Sequence, residues 1–370
     1  MALSLFGAML FVAYANGAND NFKGVATLFG SRTTDYRKAL GWATITTLAG
    51  SGVALLLSGG LVEAFSGKGL VSDALAQDSA FLMAVGLGAA VTVMLATVTG
   101  FPISTTHALI GALVGAGLAA VGSVNLGQLG QSFFLPLAAS PIISIMLTGT
   151  LYPLFHKMRS RLGIERQMCL CVDRRSPQPV VIQPNGAAIL QASGIVLTVN
   201  QLSNCVDQYN GRLYGIDTQW LLDRLHFLSA GAVGFARGLN DTPKIVALLI
   251  AATALGAPLS AGMLAVGGAM AIGGLLSARK VAMTVSEGIT PMNPGQGLTA
   301  NMVTALLVGA ASIFSLPVST THVSSGSLFG LGVASRQAHW PVIRKIVFSW
   351  LITLPLAAVI AAVVVWVVGA

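Results

Sequence analysis

Two short strings place ionisable and amide side chains inside otherwise apolar sequence. Gly17–Leu28 reads GANDNFKGVATL and Gly238–Leu249 reads GLNDTPKIVALL, so Asn19, Asp20 and Lys23 have counterparts in Asn240, Asp241 and Lys244. A charge at the bilayer centre costs about 2.5–3.5 kcal/mol on insertion scales, which makes such a residue a functional candidate by default. Two chemistries fit the spacing. Carboxylate and amide oxygens, with the carbonyls of an unwound helix, are ligands for a hard cation such as Na⁺. Alternatively, each Asp shares a helix face with the Lys three residues on, giving ion pairs Asp20–Lys23 and Asp241–Lys244. The two readings coexist if the ammonium stands where a cation would otherwise sit. Arg237 has Asn16 at the matching place of the first string, and it faces either an anion or Asp241.

A second pair of strings follows each of these. Phe101–His107 reads FPISTTH and Leu316–His322 reads LPVSTTH. Proline is tolerated in the first turn of a helix, and Ser or Thr there caps it. A helix start exposes free N–H groups carrying partial positive charge, which favours an anion. Ser104, Thr105 and Thr106, repeated as Ser319, Thr320 and Thr321, add hydroxyl donors. Two such helix starts facing each other would suit a tetrahedral oxyanion. The plainer alternative is hydroxyls bonding back to their own helices, but it does not predict two symmetric copies that each follow a proline. His107 and His322 each orient a hydroxyl, contact the anion, carry a proton or serve structure alone. Cys169, Cys171 and Cys205 do not match a zinc pattern and read as reduced structural cysteines. No metal site, catalytic residue or cofactor is expected.

The elements that must position these residues are membrane helices. Charged residues are 9% of the 370, and mean hydropathy is +0.79, whereas a soluble domain is roughly 25% charged. Apolar segments fall at 2–31, 39–60, 80–100, 101–121 and 130–155. They resume after a polar stretch at 225–252, 257–278, 298–316, 317–335 and 343–369. The pattern predicts a first membrane repeat over 1–155, an insert over 156–223 and a second repeat over 224–370. From Asp20 to Pro102 is 82 residues and from Asp241 to Pro317 is 76, so both motifs recur in order at similar spacing, the mark of an internal repeat. The segment 101–121, with proline at its start and glycines after it, is expected to be a broken or re-entrant helix. The insert alternates short β-like runs with polar turns and is expected to be a small β-rich domain. In SEGITPMNPGQGL, Glu287, Asn293 and Gln296 are expected in a solvated loop.

Charge placement gives the orientation. The net charge of +8 is not spread as in a nucleic-acid binder. Basic residues cluster at Arg32, Arg37 and Lys38, in the insert and its flanks, at Arg279 and Lys280, and at Arg336, Arg344 and Lys345. Positive loops stay cytoplasmic. The insert is therefore expected inside and both termini outside, in the cell membrane, with no cleavable signal apparent. Five crossings per half then give the two repeats opposite orientation.

At these residues the chain resembles the inorganic phosphate transporter (PiT) family of secondary transporters. GANDNFKG and GLNDTPKI resemble that family's duplicated Gly-Ala-Asn-Asp signature, and FPISTTH and LPVSTTH its duplicated Pro-x-Ser-Thr-Thr-His motif. The resemblance covers both membrane halves and leaves out the insert. It implies an all-α polytopic homodimer built on inverted-topology repeats, moving inorganic phosphate with a coupling cation by alternating access. It also implies that Asn19, Asp20, Asn240 and Asp241 fall on the ion-and-phosphate site, and the six hydroxyl residues on phosphate-binding helix starts. The family signature continues Asp-Val-Ala-Asn, whereas the third place after Asp is here Lys23 and Lys244. Asparagine is a neutral oxygen ligand; lysine only donates. The departure points to H⁺ coupling or to one fewer Na⁺. Rival readings are a carrier of sulfate, a passive channel, and an intramembrane enzyme acting on a lipid phosphate with His107 or His322 as nucleophile.

Overall fold

The structure, a computed structural model, describes residues 2–57, 59–67, 69–162, 165–167, 171–173, 196–198, 208–210, 212–213, 215–249 and 259–369. Ten helices carry the description. In the first half they are α1 (Ala2–Asp20), α2 (Tyr36–Leu57), α3 (Ser79–Thr99), α4 (Thr105–Val121) and α5 (Leu135–Arg161). In the second they are α6 (Thr218–Val246), α7 (Leu259–Ser277), α8 (Pro294–Ile313), α9 (Thr320–Ser335) and α10 (Trp340–Val368).

Among the described residues, six helices are long and apolar enough to cross a membrane: α2, α3, α7, α8, α10 and Leu126–Arg161, most of which is α5. The chain is an integral membrane protein. The other four, α1, α4, α6 and α9, are those that carry the duplicated motifs. Helices α4 and α9 have 17 and 16 residues; at 1.5 Å per residue each is about 25 Å long, short of a hydrocarbon core of about 30 Å. Each begins three or four residues into its apolar segment, after a Pro-containing stretch that lies outside any helix. The segment 2–31 is also interrupted: α1 ends at Asp20, Asn21–Gly24 is a 3₁₀ turn, and Ala26–Gly30 is a short helix. Its counterpart is not cut at the same place. Helix α6 runs through Asn240, Asp241 and Pro243 to Val246 before a 3₁₀ turn at Ala247–Leu249.

The solvated loop expected around Asn293 and Gln296 is corrected. Asn293 caps α8 by accepting from the Gln296 N–H (3.0 Å), and Gln296 Oε1 accepts from the Asn293 N–H (2.8 Å). Proline at the first helical position completes the start signal. Both side chains are buried, and α8 begins four residues before the expected span. Pro and Gly content read as a loop, but the reciprocal cap satisfies the backbone donors that a loop would leave to water.

Residues 159–221 cluster as a unit of their own. Their described part holds three antiparallel strand pairs, Glu165–Gln167 with Gln208–Asn210, Cys171–Asp173 with Val196–Thr198, and Arg212–Leu213 with Ile216–Asp217. Cys169 and Cys205 lie outside the described residues.

Within the unit formed by residues 1–158 and 222–370, close packing is exchanged between the halves. A Cβ on Gly17 of α1 would overlap the Met270 carbonyl of α7, and one on Gly238 of α6 would overlap the Thr47 carbonyl of α2. Likewise α4 meets α10 at Gly115 and the Ala358 carbonyl, while α9 meets α5 at Gly330 and the Ile145 carbonyl. Membrane helices gain no hydrophobic drive from one another, so small residues that let backbones approach supply the attraction. Gly115→Leu is expected to destabilise by about 1–3 kcal/mol, the usual cost of overpacking. Gly309→Ala, where nothing lies within 4 Å of the added carbon, is expected to leave the melting temperature of the detergent-purified protein within about a degree of wild type.

Candidate functional site

The extended stretches before α4 and α9 end in matching caps. Ser104 Oγ accepts from the His107 N–H and Ser319 Oγ from the His322 N–H, both at 3.1 Å. The two Ser backbones also agree, with φ −96° and ψ 116° against φ −97° and ψ 115°. Each serine Oγ is the cap acceptor and keeps its O–H donor, and the threonines beside them bond to charged residues.

Four threonines meet the charged residues of the Asn-Asp strings, and two of them do so across the halves. Lys23 Nζ donates to Thr321 Oγ1 (2.7 Å), Asn19 Oδ1 (2.8 Å) and the Ile103 carbonyl (3.0 Å), and it pairs with Asp20 Oδ1. Lys244 Nζ donates to Thr106 Oγ1 (3.0 Å) and the Val318 carbonyl (2.6 Å), with Asp241 Oδ1 at 3.6 Å. Each lysine thus starts in one half and ends on the helix start of the other. Thr321 repeats the exchange by donating to the Ile103 carbonyl (2.8 Å), as Thr106 does to the Val318 carbonyl (3.4 Å). Thr105 and Thr320 stay within their own half, donating to Asp20 Oδ2 (3.3 Å) and Asp241 Oδ2 (3.4 Å). Both expected ion pairs are therefore present; Lys23 Nζ is surrounded by four oxygens, whereas Lys244 Nζ has two within hydrogen-bond distance.

Asn16 joins the two carboxylates. Its Nδ2 donates to Asp20 Oδ2 (3.0 Å) and to Asp241 Oδ2 (3.2 Å), and its Oδ1 accepts from Arg237 Nη2 (2.6 Å). Arg237 also donates through Nη1 to Asn21 Oδ1 (3.1 Å) and Thr47 Oγ1 (3.2 Å), while its Nε lies 3.6 Å from Asp241. Of the two readings for Arg237, the ion pair is present, but most of its fork is spent on neutral oxygens. Asn16 and Arg237 occupy matching places in the two strings, so this contact lies where the halves differ. All five charged side chains are buried, three cationic and two anionic. The cluster therefore carries one positive charge more than its own carboxylates offset, in surroundings where unpaired charge is costly.

His107 and His322 meet with ring centroids 4.4 Å apart and planes tilted by 49°, and the ring of Trp350 of α10 is centred 4.0 Å from that of His322. Trp350 Nε1 donates to the Pro102 carbonyl (3.0 Å), so α10 braces the first extended stretch. His107 Nδ1 and His322 Nε2 have no partner among the described residues. No cluster of metal-ligating side chains occurs among the described residues.

Comparison with known proteins decides what this arrangement belongs to. A model of the phosphate transporter family matches residues 16–361. The chain belongs to the phosphate transporter family. It is a transporter of phosphate, not an enzyme, which sets aside the lipid-phosphate reading. The transporter is 28% identical to a protein of Rhizobium meliloti described as a probable low-affinity inorganic phosphate transporter, over 98% of this chain and 95% of the other. It is 26% identical to a protein of Pyrococcus abyssi named as a phosphate permease, over 97% and 96%. In fold it is similar to a solved structure titled the sodium-dependent phosphate transporter, with a TM-score of 0.76, 23% identity, and coverage of 100% of this chain and 98% of that one.

Sequence reading alone missed three contributors to the transporter's polar cluster. Thr47 and Thr97 sit within apolar helices and carry no motif. Asn16 was visible only as the residue opposite Arg237, yet it bonds both carboxylates. Replacing it by leucine strips a donor from two buried carboxylates and an acceptor from a buried guanidinium. Hydrogen bonds to charged groups are worth roughly 1.5–3 kcal/mol each, so Asn16→Leu is expected to lower stability by about 3 kcal/mol or more. Thermal melting followed by size-exclusion chromatography reads this directly.

Proposed function

We propose that the protein is a secondary transporter that moves inorganic phosphate by alternating access, with H⁺ as the coupling ion. The single observation that carries the choice of ion is the surroundings of Lys23. Its ammonium sits among a carboxylate, an amide oxygen, a hydroxyl and a carbonyl, a donor set that would otherwise suit Na⁺. A lysine ammonium in that place supplies the charge that a transported cation would bring.

In this reading Ser104, Thr105, Thr106, Ser319, Thr320 and Thr321, with Asn19 and Asn240, form the substrate site. Asp20, Asp241, Lys23 and Lys244 form the charge pairs around it. The surplus positive charge of the cluster is matched when the anion arrives. Phosphate is favoured over sulfate because it keeps an O–H at neutral pH, for which the site holds carboxylate and amide oxygen acceptors. The exchanged packing of α1 with α7 and of α6 with α2 supports two inverted repeats over 1–155 and 224–370. The insert over 156–223 is cytoplasmic in this topology and both termini are outside, and the working form is a homodimer. The paired half-helices, held by hydroxyl and carbonyl contacts between halves, are the elements that would rock past one another.

Labelled-phosphate uptake into proteoliposomes tests the reading. Accumulation is expected to follow an imposed pH gradient and to ignore a Na⁺ gradient; the reverse result overturns H⁺ coupling. Lys23→Asn combined with Lys244→Asn restores neutral oxygen ligands and is expected to introduce Na⁺ dependence. Excess sulfate is expected to leave phosphate uptake unchanged, and full competition by sulfate would show a less selective oxyanion site.

A further inference from the structure

The two half-sites match in sequence but not in saturation. A lysine ammonium has three N–H donors. Around Lys23 four oxygens compete for them: Asp20 Oδ1, Asn19 Oδ1, the Ile103 carbonyl and Thr321 Oγ1. Around Lys244 there are two within hydrogen-bond distance, Thr106 Oγ1 and the Val318 carbonyl, and Asp241 stands off at 3.6 Å. The Phe65 ring centroid lies 5.6 Å from Lys244 Nζ, a weak partner beside a charged oxygen.

The amides differ in the same sense. Asn19 Oδ1 accepts from Lys23 and from the Ile103 N–H (3.1 Å), and its Nδ2 donates to Thr97 Oγ1 (2.9 Å) and the Phe101 carbonyl (3.1 Å). Asn240 Nδ2 makes two longer bonds of 3.3 Å, to Asp241 Oδ1 and the Val318 carbonyl. Its Oδ1, fully buried, has no partner among the described residues. A buried amide oxygen left unsatisfied is costly and calls for a reason. The second half-site thus holds a cation with spare donor capacity beside an acceptor with none of its capacity used.

We infer that the half-sites divide the work: Lys23 is the fixed internal counter-ion of Asp20, and Lys244 with Asn240 is the pair that contacts the phosphate. Lys244 gives its free N–H to a phosphate oxygen, and Asn240 Oδ1 accepts the P–O–H that phosphate has and sulfate lacks. This rests on the proposed transport of phosphate and says which of two equivalent-looking sites engages it.

The test is calorimetric titration of inorganic phosphate into the purified full-length protein. Lys244→Gln removes a charge-assisted bond and is expected to weaken phosphate binding by about tenfold or more while the melting temperature stays near that of wild type. Lys23→Gln strips Asp20 of its counter-ion and is expected to act mainly on melting temperature. If that variant does not fold, the charge-neutral pair Asp20→Asn with Lys23→Gln replaces it, since neither member then leaves an unpaired buried charge. Either form is expected to lose less phosphate affinity than Lys244→Gln does. Equal losses at the two lysines, or a larger loss at Lys23, overturn the division of labour and leave phosphate transport standing. A wild-type protein that binds no phosphate overturns both.

Discussion

Burying charge in hydrocarbon is the constraint on which the rest of this structure depends. Asp20, Lys23, Arg237, Asp241 and Lys244 are all sequestered from solvent, and isolated ions there would be prohibitively unfavourable. Local pairing alone leaves too few partners. Each ammonium needs up to three acceptors and each carboxylate oxygen wants donors. The extended stretches before α4 and α9 supply them, since their carbonyls at Ile103 and Val318 are free of any helix and point at the lysines. Breaking those segments therefore both starts two helices within apolar sequence and frees the oxygens that the charged residues require.

The same constraint explains why the halves are joined by exchange. Satisfying each lysine within its own half would have left fewer buried polar ties between the halves. Instead Lys23 ends on Thr321 and Lys244 on Thr106, and the glycine-mediated approaches of α1 to α7 and of α6 to α2 follow the same rule. Asn16 and Arg237 depart from it. One amide serves both carboxylates and one guanidinium serves that amide. The difference in charge at this matched pair of positions gives the charged cluster a single surplus cation.

Much of the fold was legible in the linear sequence because membrane spans must be long and apolar and cannot hide. The positions of the six crossing helices, the break before Thr105 and the cap at Ser104 follow from local rules that need no neighbour. The start of α8 did not, since Asn293 and Gln296 look like loop residues until each is seen to satisfy the other's backbone. The continuity of α6 through Pro243 is likewise invisible locally: a proline there argues for a stop, and packing of the buried segment overrides it.

The sequence by itself determined which residues carry chemistry: the duplicated Asn-Asp-x-x-Lys and Pro-x-Ser-Thr-Thr-His strings, and the substitution of Lys23 and Lys244 where a neutral ligand was expected. It did so because an ionisable group in an apolar segment is too costly to be incidental, and because a string repeated in order is not chance. Only the tertiary structure decided who satisfies whom. That Asn16 bonds both carboxylates, that each lysine reaches the opposite half, and that Lys23 is saturated while Lys244 is not, are facts about distances between residues as many as 298 positions apart in the chain. Hydrogen bonds depend on separations of a few tenths of an ångström, and no spacing along the chain encodes separations of that kind.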